Sequence, residues 1–269
     1  MKSVYIKYKG RFCKLLFLIS YFLFRRRRTM RKLGSYGFTG ISGYQLRRWF
    51  RWHPWHGKII RYYYMAELNG KKCFVKIVEA ANDGTISNEL AVNRYITQCG
   101  LDFVPELLAG DESYGKGEIL LATGFKPGTV NFGLPADEES FEKVCGEFER
   151  IHGRFLDSGI IHGDISSSNL LLGPEDKILL IDFGIGRAPG SETHGINYQR
   201  HRGTYYRESG NTRTYDDAYS FLRMLEDCGI PDGLKQKDCY KRIEKLVGAH
   251  TYSVALPAAA KEGKEGKLE

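Results

Sequence analysis

Ile160-Ile161-His162-Gly163-Asp164-Ile165-Ser166-Ser167-Ser168-Asn169, followed by Leu180-Ile181-Asp182-Phe183-Gly184, is the part of the sequence on which the fold turns. Each polar cluster sits against an apolar run, Ile160-Ile161 before the first and Leu179 to Ile181 around the second. The apolar stretch Leu170–Leu172 lies between them. Asp164 and Asn169 are five positions apart, and Asp164 and Asp182 are 18 apart. That interval holds two short strands and a turn, so a hairpin can carry the second cluster back beside the first.

Upstream, Ile59 to Leu68 is β-branched and aromatic, Asn69-Gly70 follows, and Lys71 to Val78 is again strand-like. Asn-Gly between two such runs predicts a two-residue hairpin. Residues Thr85 to Cys99 read as a helix stopped by Gly100. Glu89, Val92, Ile96 and Cys99 share one face of it, so a carboxylate lies on an apolar stripe and needs a partner. Ile119 to Ala122 predicts a short strand. Phe141, Val144, Cys145, Phe148, Ile151 and Phe155 form the stripe of an amphipathic helix that ends near Gly159. A further helix is expected over about Tyr215 to Asp227, and from Pro257 the chain is low in complexity.

Taken with Phe74-Val75-Lys76-Ile77 on the second hairpin strand and with Glu89, the two clusters resemble the protein-kinase-like phosphotransferase superfamily. The resemblance runs from about Ile59 to Asp227. It rests on a strand lysine, a helix glutamate, an H-x-D-x-x-x-x-N loop and D-F-G. It implies an α+β fold of two lobes, a small antiparallel sheet with one helix and then a mainly helical lobe. ATP and Mg²⁺ would bind between them, near a hinge at Thr123 to Gly128. It also implies roles. Lys76 would hold the α/β-phosphates and Glu89 would fix Lys76. Asp164 would accept the proton of the acceptor hydroxyl, and Asn169 and Asp182 would bind Mg²⁺ through oxygen. In the same family an aspartate at the start of a later helix, here Asp217, braces the catalytic loop.

The departures are specific. No G-x-G-x-x-G precedes the lysine strand, and the stretch where the phosphate-covering loop belongs reads Trp52-His53-Pro54-Trp55-His56-Gly57-Lys58. Only Gly57 lacks a side chain there, which makes it the candidate for backbone approach to phosphate. The Gly37 to Gly43 stretch lies further upstream. Gly163 stands where regulated protein kinases carry Arg, which argues against control by activation-loop phosphorylation. Among kinases the H-G-D loop looks most like the small atypical ones. These are aminoglycoside and lipopolysaccharide-sugar kinases, RIO-type kinases and the small kinase of the tRNA-threonylcarbamoyl complex.

The 269 residues are 42% hydrophobic and 13% aromatic, which excludes wholesale disorder. Six scattered cysteines without a C-x-x-C pair argue against a disulfide scaffold or a structural zinc site. The charge is divided unevenly. Residues 1–66 contain 16 Lys and Arg and no carboxylate, leaving 24 basic and 32 acidic residues for the rest. Leu15 to Phe24 (LLFLISYFLF) is too short to span a bilayer and runs into Arg25-Arg26-Arg27-Arg28. This predicts an interfacial segment in which residues 1–32 meet an anionic membrane. A helix packed on the body and a mitochondrial transit peptide are the alternatives. A second basic-aromatic cluster, Arg47 to Lys58, also suits single-stranded nucleic acid, though no RNA-binding signature accompanies it.

The expected organisation is a membrane-associating segment over 1–43, an N-lobe and hinge over 44–128, a C-lobe over 129–250 and a disordered tail over 251–269. The expected activity is ATP-dependent transfer of the γ-phosphate to a hydroxyl. The acceptor is expected to be a membrane-associated glycan or glycolipid such as a lipopolysaccharide-core sugar. The enzyme would be cytoplasmic and peripheral on the inner face of the membrane. The alternatives are an atypical Ser/Thr protein kinase of RIO-like or tRNA-modification-complex type, and a membrane-associated pseudokinase.

Overall fold

The structure, a computed structural model, describes residues 19, 26–44, 61–79, 84–115, 117–191 and 204–256. The chain divides into two compact units, Met1–Asn82 with Leu107–Phe125, and Asp83–Glu106 with the remainder from Lys126. The crossing at Phe125–Lys126 falls inside the Thr123 to Gly128 stretch.

The first unit is a five-stranded antiparallel sheet in the order β1-β2-β3-β5-β4. Its strands are β1 (Thr39–Tyr44), β2 (Arg61–Leu68), β3 (Lys71–Glu79), β4 (Leu107–Gly115) and β5 (Glu118–Gly124). Asn69 and Gly70 make the β2–β3 turn, both at positive φ (51° and 75°), as a primed hairpin turn requires. The register follows from side-chain alternation. Tyr62, Tyr64 and Ala66 pair with Ile77, Val75 and Cys73, so one face is apolar throughout. Helix α1 (Arg26–Ser35) and Phe38 belong to the core on that face, Leu33 being completely buried among these residues, Tyr114 and Leu120. Lys76, one residue out of phase, is on the opposite face and is also buried.

The expected boundary at residue 43 therefore moves. Residues 26–44 are part of the first unit, because Leu33 and Phe38 fill its core and β1 pairs with β2 from Thr39↔Glu67 to Tyr44↔Tyr63. Gly40 and Gly43 lie within β1 and form no turn before β2. Gly57 and the rest of the Trp52 to Lys58 stretch lie outside the described residues, as do most of residues 1–25.

The second unit contains α2 (Thr85–Cys99), which the sequence reading had grouped with the sheet. The reason is packing. Val92 and Ile96 of α2 lie in one core with Phe103 and with Phe141, Val144, Phe148, Ile151 and Phe155 of α3. Helix α3 (Glu138–Ser158) starts at Asp137, whose carboxylate accepts from Ser140 N at 2.8 Å, and stops at Gly159 in the left-handed region. Two-residue β6 (Val130–Asn131) pairs with β7 (Leu170–Leu172), which forms the expected hairpin with β8 (Ile178–Leu180). Helix α4 (Asp217–Asp227) begins two residues later than expected, because Tyr215 and Asp216 complete a strand. That strand belongs to a second sheet of β9 (Arg207–Ser209), β10 (Thr212–Asp216) and β11 (Thr251–Ala255), and the short α5 (Asp232–Lys235) and α6 (Asp238–Leu246) link α4 to β11.

Strand β11 corrects the expected tail over 251–269. Thr251-Tyr252-Ser253-Val254-Ala255 alternates in exposure, Tyr252 is buried, and five residues pair in register with β10. Residues 257–269 lie outside the described residues.

Candidate active site

The second unit folds its catalytic loop from backbone hydrogen bonds and two buried carboxylates. Asn169 N and Leu170 N both donate to Ser166 O, which curls Ser166–Asn169 into a turn feeding β7. Ile181 N donates to Asn169 O at 2.9 Å, and Ile161 and Arg187 exchange both backbone bonds at 2.8 and 2.7 Å. The Leu180-to-Gly184 segment is thereby tied to the loop at both ends. Asp217, at the start of α4, accepts from His162 N at 2.8 Å and Gly163 N at 2.9 Å. This is the bracing role that the family resemblance assigned to it. Gly163 needs to be glycine: its φ is +76°, and a Cβ would lie 3.0 Å from Tyr252 Oη and 3.1 Å from Ile185 O.

His162 is wholly buried, with its ring 4.4 Å from that of Phe183. Its Nδ1 accepts from Asp164 N at 3.2 Å, so the proton sits on Nε2, which donates to Ile181 O at 3.0 Å. Burial lowers its pKa to about 4, which keeps it neutral. His162 thus fastens the two motifs together. The Asn169 amide donates to Asp164 O at 2.9 Å and to Asp164 Oδ2 at 3.0 Å. Thr204 also donates to the Asp164 carboxylate. Asp182 takes a left-handed φ of 66°, uncommon for a residue with a side chain. Asn88 of α2 donates to the carbonyls of Phe183, Gly184 and Gly186 at 3.4, 3.2 and 2.8 Å.

No family model matches the chain. It is 26% identical to the serine/threonine-protein kinase mph1 of Schizosaccharomyces pombe over 244 residues, 77% of this chain and 34% of that protein. It is 44% identical to the KEOPS complex subunit Bud32 of Pyrococcus abyssi over 65 residues, 24% of this chain and 28% of that subunit. With the EKC/KEOPS complex subunit BUD32 of Debaryomyces hansenii it shares 32% identity over 107 residues, 40% and 39% of the two chains. The chain thus spans well under half the length of the curated relatives it matches. Sheet, hairpin, loop and relatives agree. The fold is a kinase-like α+β fold, and the chain is similar to protein kinases.

The kinase-like loop concentrates negative charge. Burial raises the pKa of Asp164 to about 7, Asp182 and Asp217 add to the rise, and the Thr204 and Asn169 hydrogen bonds oppose it. Asp217 rises to about 7 chiefly through its own burial, against the two backbone donors that favour its charged form. Carboxylates crowded in this way accommodate a cation. Asn169 turns its amide nitrogen onto Asp164, its carbonyl oxygen accepts a long 3.4 Å bond from Ser168 Oγ, and that oxygen and the Asp182 carboxylate are the groups that would hold a cation. One carboxamide oxygen and one carboxylate, with phosphate and water completing the shell, suit Mg²⁺. When bound, the ion supplies charge neutralisation at the transferring phosphate. Asp164 is half-buried and oriented by Asn169 and Thr204.

Of the residues singled out in the sequence, Asp164, Asn169, Asp182 and Asp217 come together in the second unit. Glu89 is on α2 in the same unit and is buried, whereas Lys76 is buried on β3 of the first unit. Sequence reasoning missed Asn88, Tyr252 and the part played by Thr204. Asn88 left a readable sign, a polar side chain beside the apolar stripe of an otherwise helical segment. Among the described residues, no group of three or more His, Cys, Asp or Glu side chains is placed to hold a metal.

Proposed function

We propose that the chain is an ATP- and Mg²⁺-dependent kinase that phosphorylates a hydroxyl on a protein, of the small atypical type typified by Bud32. The observation that carries this reading is the Asp164–Asn169–Asp217 arrangement. A half-buried carboxylate with a pKa near neutrality is aimed by the amide of a carboxamide whose oxygen carries only a long bond from Ser168, and the loop bearing both is braced from a helix start. Lys76 is the residue that would hold the α/β-phosphates, as the family resemblance implies. The relatives named above are a serine/threonine kinase and subunits of a KEOPS complex, which favours a protein acceptor over a glycan or glycolipid. A pseudokinase is disfavoured because each residue that the chemistry needs is present.

Recruitment belongs to the same proposal. Helix α1 exposes Arg26, Arg27, Arg28 and Arg31, while Leu33 is buried and Lys32 lies 3.9 Å over the Tyr114 ring. The arginines are thus mounted on a docked helix that directly follows the apolar run Leu15–Phe24. Basic charge next to a short apolar segment supports peripheral attachment to an anionic membrane. The test is transfer of labelled γ-phosphate by the full chain to generic protein acceptors, to itself and to lipid-linked glycans. Label on protein supports the reading, label on glycan alone restores the sugar-kinase alternative, and ATP binding without transfer to any acceptor favours the pseudokinase.

A further inference from the structure

The last strand of the second unit reaches the centre of the candidate site through one side chain. Tyr252 of β11 pairs in register with Tyr215 of β10, and their rings stack at 4.9 Å with 15° between planes. Its hydroxyl donates to Ile185 O at 2.6 Å in a buried bond. Ile185 is in the turn that follows Asp182-Phe183-Gly184, and Ile161, Ile185, Tyr215 and Tyr252 form a small apolar cluster of their own. The Arg187 guanidinium lies 5.9 Å from the centre of the Tyr252 ring, adding a cationic contact. The same hydroxyl occupies the space beside Gly163, where a Cβ would stand only 3.0 Å away. Two residues from Tyr215, Asp217 holds His162 N and Gly163 N.

We propose that Tyr252 is a positioning residue that latches the Asp182–Arg187 segment to the catalytic loop, and that it sets the affinity of the Asn169–Asp182 pair for its divalent cation. The argument is geometric. Asp182 has a left-handed backbone, so its carboxylate direction depends on what holds the residues after it. Asn88 grips Phe183, Gly184 and Gly186 from one side, and Tyr252 grips the intervening Ile185 carbonyl from another. The glycine at position 163 makes room for the tyrosine hydroxyl where a side chain would exclude it. A strand far along the chain thereby takes on the tethering of loop to metal segment. A 10–20° drift of one ligand weakens a two-ligand site, because the cation has few other protein contacts.

The latch rests on the phosphotransferase reading for its consequence but can be tested apart from it. Tyr252→Phe keeps the ring stack and removes only the hydroxyl. Thr214→Ala is the control, since it breaks the Thr214–Ser253 hydroxyl contact at 2.8 Å between the same two strands. The first readout is amide hydrogen exchange in the full-length protein, which needs no activity. Tyr252→Phe should speed exchange about tenfold or more at Ile161, Gly186 and Arg187 relative to wild type, whereas Thr214→Ala should leave it unchanged. The second is Mn²⁺ binding in the presence of ADP, followed by electron paramagnetic resonance. Its dissociation constant should rise about three- to tenfold in Tyr252→Phe and stay put in the control. Unchanged exchange in Tyr252→Phe overturns the latch, and unchanged Mn²⁺ affinity despite faster exchange overturns its link to the metal. Equal effects in both variants also overturn it, since they would reflect the strand pair as a whole. If wild type fails to bind Mn²⁺ with ADP, the phosphotransferase reading falls and the metal link with it, while the exchange result still decides the latch.

Discussion

On the proposed reading Asp164 would act as a base only when ionised, and its surroundings resist ionisation. With a pKa of about 7, raised mainly by burial, kcat/KM should rise about tenfold per pH unit below neutrality and level off above it, as a pH–rate profile would reveal. The same shift bears on stability. A carboxylate whose folded pKa lies above its unfolded value contributes stability that is complete below the unfolded pKa and is lost as pH rises through the folded one. Asp164 and Asp217 both behave so between about pH 4 and 7. His162, lowered to about 4, does the reverse: its contribution is complete above its ordinary 6.5 and is lost as pH falls toward 4. Asp164→Asn keeps an oxygen for the Asn169 donor and removes the charge. It should melt higher than wild type by roughly 4 °C or more at pH 8, with the gap closing by pH 4. Equal melting temperatures at pH 8 would argue against a strained carboxylate. Asp217→Ala orphans two buried N–H groups and should cost about 2–4 kcal/mol in denaturant unfolding, with kcat reduced at least tenfold.

At the level of elements, the legible parts were those with a strong local pattern. The Asn69-Gly70 hairpin, the α3 stripe and the β7–β8 hairpin each follow from short-range periodicity or turn chemistry. Helix α2 was legible as a helix, and Glu89 as a buried carboxylate, but its grouping was not. That depends on Val92 and Ile96 meeting Phe103 and α3, a tertiary choice that no single segment encodes. Strand β11 is hard to read because five residues of alternating exposure beside a low-complexity stretch give a weak signal, and because the last two residues of its partner β10, Tyr215 and Asp216, run into the following helical pattern. Within the site, Asp164, Asn169, Asp182 and Asp217 were readable from spacing and resemblance. Tyr252 was not, since its target is a backbone carbonyl, and Asn88 showed only as a polar side chain beside an apolar stripe, without its three carbonyl targets. Asn88→Ala removes the donor shared by three carbonyls. It should lower stability by about 1–3 kcal/mol in urea unfolding and raise the Mg²⁺ concentration needed for half-maximal turnover. A loss of stability without the metal effect would make Asn88 a packing residue alone.

For the whole molecule, the uneven charge distribution acquires a physical location. The sixteen basic residues before Glu67 include an exposed arginine row on α1, and α1 is part of the sheet unit because of Leu33. Deleting residues 1–32 would therefore cut into a core helix, whereas substituting Arg26, Arg27, Arg28 and Arg31 by Gln leaves Leu33 in place. The quadruple variant should lose at least tenfold in affinity for vesicles of 30% phosphatidylserine at low salt and keep its phosphotransfer rate on a soluble acceptor. Wild-type binding should weaken as salt rises. Tight binding of wild type to tRNA with no binding to vesicles would redirect the basic face to nucleic acid. The account stands or falls on phosphotransfer itself. The decisive measurement is transfer of γ-phosphate from labelled ATP by the full chain with and without Mg²⁺, beside Asp164→Asn and Asp182→Asn under the same conditions. Transfer should require Mg²⁺ and fall at least about a hundredfold in each variant, with Mn²⁺·ADP binding kept in Asp164→Asn and lost in Asp182→Asn. Undiminished transfer by either variant, or transfer that ignores Mg²⁺, would contradict the account.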